Sequence, residues 1–149
     1  MPPRLPPELS VGFEEIDGEH RHILRLIEAT QASVDGGDRG EVKTTLSALG
    51  DYLMAHFAAE ESIMAQAGYP ERTRHKAAHD IFMQDFAQLG HEYERSGLSP
   101  LVRQWIVARV PEWIRFHIQA NDVPLGEFLS ARKFRPESAA GTRAKSRQS

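Results

Sequence analysis

The stretch YLMAHFAAEESIMAQAGYPERTRHKAAH, residues 52–79, decides the fold. Its first half continues an apolar repeat at helical spacing, Val42, Leu46, Leu49, Leu53, Phe57, Ile63 and Met64, which ends at the turn signal Gly68-Tyr69-Pro70. A second repeat follows, with Ala78, Ile81, Phe82, Phe86 and Leu89 on one stripe before Ser96-Gly97. Two amphipathic helices joined by so short a connection are antiparallel neighbours. Both apolar faces are interrupted by groups that bind protons or metals: His56 and Glu60 in HFAAE, His75 and His79 in HKAAH. An i,i+4 spacing turns about 40° around the helix axis and projects both side chains into the same space.

Working outward, Ile16, Ile23, Leu24, Leu26, Ile27 and Val34 recur at helical spacing until Gly36-Gly37, with Asp17 expected as the N-cap. Ser99-Pro100 opens a fourth run with Leu101, Val102, Trp105, Ile106, Val110, Trp113, Ile114 and Ile118. The expected helices cover about 17–35, 40–66, 71–95 and 100–131, giving an all-α, antiparallel up-down-up-down four-helix bundle over residues 1–132. Residues 1–16, with Pro2, Pro3, Pro6 and Pro7, form an extended N-terminal arm. Pro111 and Pro124 fall inside the fourth run and are expected to kink or break it.

The chain has 149 residues and a net charge of −3, suited to one globular domain. It lacks cysteine, which excludes disulfide scaffolds, thiolate zinc sites, iron–sulfur clusters and cysteine nucleophiles. Without a long apolar run or a secretory leader, the expected location is the cytoplasm, with no membrane segment. Residues 133–149 carry Lys133, Arg135, Arg143, Lys145 and Arg147 against Glu137, and read as a basic disordered tail. The body is therefore acidic and a poor nucleic-acid binder.

Every helix contributes an inward polar residue: His20 from the first, His56 and Glu60, His75 and His79, then His117 and Asp122 from the fourth. Burying all of them without partners would cost several kcal/mol, and a shared metal removes that cost. His117 and Asp122, in HIQAND, are five residues apart and about 140° apart on an ideal helix. Their convergence requires a local bulge or a sideways approach by Asp122. His22 and His91 read as surface residues, and Glu61 points about 100° away from Glu60. Five imidazoles, two bridging carboxylates and one shared solvent oxygen fill all but one position of two six-coordinate ions, leaving room for a small exogenous ligand. The donor set suits iron, with zinc, manganese and copper as alternatives. Its neutral nitrogens disfavour highly oxidised iron.

SVGFEEIDGEHRHIL, YLMAHFAAEESIMAQAGYPERTRHKAAH and WIRFHIQAND resemble, in order and spacing, the bacterial hemerythrins, O2-binding di-iron four-helix bundles. The resemblance implies two non-haem iron ions with an oxo or hydroxo bridge. His20 and His56 would hold the five-coordinate iron where O2 binds, and His75, His79 and His117 the filled one, with Glu60 and Asp122 bridging. It implies reversible O2 binding for storage, transport or delivery, without catalysis, by a monomer or weak oligomer. Ile114 then lies near the O2 site, with Ile23, Leu24, Phe57 and Trp113 completing a dry wall. The alternatives are O2 or redox sensing through a partner protein, or a small enzyme acting on peroxide or nitric oxide. Two departures from the family stand out: the arm has Leu5-Pro6-Pro7 where a Trp is common, and Glu19, expected to face solvent, replaces a frequent Gln.

Overall fold

A computed structural model describes residues 4–136. Among them a 3-10 turn, Pro7–Leu9, precedes four long helices, and no strand occurs. Helix α1, Glu14–Gly36, stops at Gly37, whose φ of 72° only glycine adopts freely; its N–H donates back to Ser33 and Val34 carbonyls. Helix α2, Arg39–Ala67, begins where the Asp38 carboxylate accepts from the Glu41 N–H at 3.0 Å and ends at Gly68. Helix α3, Arg72–Ser96, ends with the Gly97 N–H donating to the Tyr93 carbonyl at 2.8 Å. Helix α4 spans residues 100–131 and starts with the Ser99 hydroxyl accepting from the Val102 N–H at 3.2 Å. α1 packs on α2, α2 on α3, α3 on the start of α4, and α4 returns to α1, which closes the expected bundle. None of the described helices is long and apolar enough to cross a membrane.

Helix α4 departs from expectation. It does not break at Pro111 or Pro124: Trp105–Arg109 and Ile118–Asp122 are π turns inside one continuous right-handed helix. In each, the N–H that closes the turn reaches five residues back, Val110 to the Trp105 carbonyl and Val123 to the Ile118 carbonyl. Each proline follows immediately, where its missing N–H would otherwise have paired four residues back. The Val107 carbonyl thus left over accepts from the Gln31 side chain at 3.1 Å.

The N-terminus of α1 is also earlier than the expected residue 17. Phe13 is the N-cap, and Asp17 lies within the first turn. The buried Asp17 carboxylate instead accepts from the Val11 N–H at 2.8 Å and the Ser10 hydroxyl at 2.9 Å, fastening the arm to the bundle. The arm is therefore not simply extended: Leu9, Val11 and Phe13 are buried even without the family's tryptophan. At the start of the expected tail, Phe134 packs its ring against Phe13 at 6.4 Å. Residues 137–149, and with them most of that tail, lie outside the described residues.

Candidate metal centre

All seven inward residues meet within the bundle, each at most 2% exposed. His20 comes from α1, His56 and Glu60 from α2, His75 and His79 from α3, and His117 and Asp122 from α4. The π turn Ile118–Asp122 supplies the bulge that the five-residue spacing requires. A ring closed over five residues brings His117 and Asp122 onto one face, with His117 Nε2 3.4 Å from Asp122 Oδ1.

The two carboxylates are shared in the same way. Glu60 Oε2 lies 3.1 Å from His56 Nε2 and 3.8 Å from His20 Nε2, and Asp122 Oδ2 lies 3.0 Å from His20 Nε2. Their other oxygens face the opposite direction. Glu60 Oε1 is 2.9 Å from His75 Nε2 and 3.1 Å from His79 Nε2, while Asp122 Oδ1 is 3.0 Å from His75 Nε2. Donor atoms therefore fall into two groups, His20, His56, Glu60 and Asp122 on one side and His75, His79, His117, Glu60 and Asp122 on the other. The first group holds one imidazole fewer.

These atoms are poorly served by one another. Among the described residues, both ring nitrogens of His20 and His75, both oxygens of Asp122 and Oε2 of Glu60 are buried without a hydrogen bond. His79 Nε2 and His117 Nε2 approach to 3.1 Å. A native interior seldom tolerates so many unsatisfied polar atoms, and cations placed among them would satisfy the inward-facing ones, the imidazole Nε2 atoms and the carboxylate oxygens. Electrostatics point the same way. Burial pulls the His56 imidazolium down, but the Glu60 charge and bonds to Glu19 and Glu60 outweigh it and raise the group to about 10. Burial likewise lowers His75, but the Asp122 and Glu60 carboxylates beside its Nε2 outweigh it and raise the group to about 9. Glu60 is held well below its usual range because the His56 charge and imidazole bonds overcome its burial. Anionic carboxylates ringed by proton-holding imidazoles form a site where metal ions displace protons.

Two acids that sequence reasoning directed elsewhere take part. Glu19, expected to face solvent, accepts from His56 Nδ1 at 2.7 Å, and Glu61, expected to point away, accepts from His79 Nδ1 at 2.9 Å. Each follows or precedes an inward ligand by one position, and the 100° turn that takes it off the core aims it into the seam with the next helix. With Nδ1–H donated outward, Nε2 of both rings is the nitrogen aimed at the centre, the one that would offer its lone pair to a bound cation. The Asn121 amide stands 3.3 Å from His117 Nδ1 and takes the same position for that ring.

Of the apolar residues expected at the O2 site, Ile23, Phe57 and Ile114 are buried, and Leu24 and Trp113 are half-buried. Phe57 stacks on His79 with ring centroids 4.0 Å apart and also lies 5.6 Å from His56. Trp113 stacks on His117 at 4.7 Å, so it rests on the three-imidazole group. His22 and His91 stay outside the centre; His22 is half-buried against the Tyr52 ring at 4.3 Å, and His91 is exposed.

Residues 11–123 match the hemerythrin HHE cation binding domain. The chain is 32% identical to a bacteriohemerythrin of Methylococcus capsulatus, over 82% of this chain and 90% of that protein. It is 27% identical to a bacteriohemerythrin of Stenotrophomonas maltophilia, over 83% of this chain and 79% of the relative. A solved structure of wild-type hemerythrin superposes with a TM-score of 0.76 at 26% identity, covering 86% of this chain and 97% of that one.

Proposed function

From the premise that this chain belongs to the hemerythrin family, we propose that it binds O2 reversibly at two non-haem iron ions and serves as an oxygen store or carrier rather than an enzyme. His20 and His56 would hold one ion and His75, His79 and His117 the other, with Glu60 and Asp122 shared between them. The division of each carboxylate, one oxygen toward each imidazole group, is the observation that carries the reading. Iron ions held there would supply the electrons for reversible reduction of bound O2.

The chain's own residues do the rest. Glu60 and Asp122 hold two cations close by partly cancelling their mutual repulsion. Glu19 and Glu61 fix the tautomer and orientation of His56 and His79. Ile23, Leu24, Phe57, Trp113 and Ile114 exclude water, which keeps protons from the centre and slows irreversible oxidation. Both nearby acids outside the cluster are engaged by ligand imidazoles, which favours a carrier over an acid–base catalyst.

The test is iron analysis combined with absorption spectra of freshly reduced protein cycled between air and vacuum. Two irons per chain and a visible band that appears and vanishes repeatedly are expected. A single iron, or a change that cannot be reversed, overturns the proposal.

A further inference from the structure

The π turn that delivers Asp122 needs something to hold it. A π turn is rare because its wider ring fits the backbone less well than an α turn, and an unusual local geometry persists only where its surroundings over-determine it. Pro124 removes one competing α-helical hydrogen bond, but the adjoining N–H and carbonyl groups remain free to shift register. The remaining constraint comes from the N-terminal arm. The Pro7–Leu9 turn packs against the Ile118–Asp122 π turn, with Leu9 wholly buried.

One turn beyond Asp122 stands Gly126, where a Cβ would lie 1.9 Å from the Val11 carbonyl oxygen and 2.7 Å from the Val11 Cβ. The arm's backbone thus rests directly on that of α4, and only glycine admits it. The same passage is pinned at several points. Asp17 holds Ser10 and Val11, and the Ser130 hydroxyl donates to the Gly12 carbonyl at 3.2 Å. Arg115 donates to Glu8 at 3.3 Å across the exposed side. Glycine inside a helix is destabilising relative to alanine, a local loss that arm contact offsets.

We infer that arm residues 7–13 clamp α4 in the π register that carries Asp122 into the metal centre, and that Gly126 is the positioning residue that lets the clamp seat. The inference rests on the proposed bridging role of Asp122. It makes the arm, which holds no ligand, a determinant of metal retention.

The experiment uses the full-length chain with Gly126→Ala, Leu9→Ala and Asp122→Asn. Amide hydrogen exchange is followed at Val123, whose N–H closes the clamped turn, and at Val110, whose N–H closes the other. Iron(II) retention against a chelator is measured in parallel. In metal-free protein both arm variants should exchange Val123 about tenfold faster while Val110 keeps its rate. Both should lose about ten- to a hundredfold in iron retention, the range for lost ligand-orienting contacts. Should Gly126→Ala not fold, Leu9→Ala decides alone. Unchanged exchange at Val123, or equal acceleration at Val110 and Val123, overturns the clamp. If Asp122→Asn keeps iron at the original affinity, the bridging assignment falls instead, and that failure is separate because the exchange comparison needs no metal.

Discussion

Replacing Glu61 by Gln keeps the shape and the hydrogen bond to His79 but removes the charge. The bond runs 2.9 Å from His79 Nδ1 to a carboxylate whose side chain is 26% exposed. Bonds to charged acceptors contribute about 1.5–3 kcal/mol net against about 0.5–1.5 for neutral ones, a difference of about 1 kcal/mol. A less basic imidazole then holds its cation about fivefold more weakly. Glu19 has a shorter bond to His56, 2.7 Å, but its side chain is 36% exposed, so solvent screening reduces the loss on Glu19→Gln to about half. On the proposed ligand assignment the two variants should act on different ions: Glu61→Gln on the three-imidazole ion, Glu19→Gln on the two-imidazole ion. Chelator titration of iron(II)-loaded protein should resolve two release steps, with each substitution advancing a different one. If neither step moves, or both substitutions advance the same step, the outer carboxylates do not orient the ligands as argued.

Three further outcomes are expected. His75→Ala should lower iron content below two per chain and alter the visible spectrum; an unchanged spectrum would remove His75 from the ligand set. Ile114→Ala, at a side chain 3% exposed, should cost about 2–5 kcal/mol in denaturant unfolding and shorten the lifetime of the oxygenated protein, and a lifetime equal to wild type would show that Ile114 only fills space. Metal-free protein should lose stability with rising pH. His75 and His56 are raised from 6.5 to about 9 and about 10, so their stabilising contribution is full below about 6.5 and is lost as pH climbs through 9 to 10. A melting temperature that rises across that interval would contradict the sign.

Helix number, order and approximate limits were legible because burial imposes a 3.6-residue period, and the seven inward residues were legible because each interrupts that period with a group that needs a partner. What escaped depends on a neighbouring element. Asp17 looks like an N-cap from its local sequence, yet its carboxylate serves the arm, so the helix starts earlier than expected. Glu19 and Glu61 have azimuths readable from α1 and α2, but their partners sit across a seam, and one helix's period says nothing about what faces it.

Helix α4 shows how two apparent faults in the sequence explain each other. Taken singly, a five-residue spacing between His117 and Asp122 misdirects a ligand, and Pro124 interrupts a helix. A π turn brings residues five apart onto one face, and the proline that follows lacks the N–H that would otherwise compete for an α-helical bond. The same pairing recurs at Trp105–Arg109 and Pro111, where the released Val107 carbonyl is taken up by Gln31 from α1. The prolines expected to break the helix therefore sit where a widened turn leaves them least disruptive, and at residues 118–122 that turn places a carboxylate that an ideal helix would direct away from the centre.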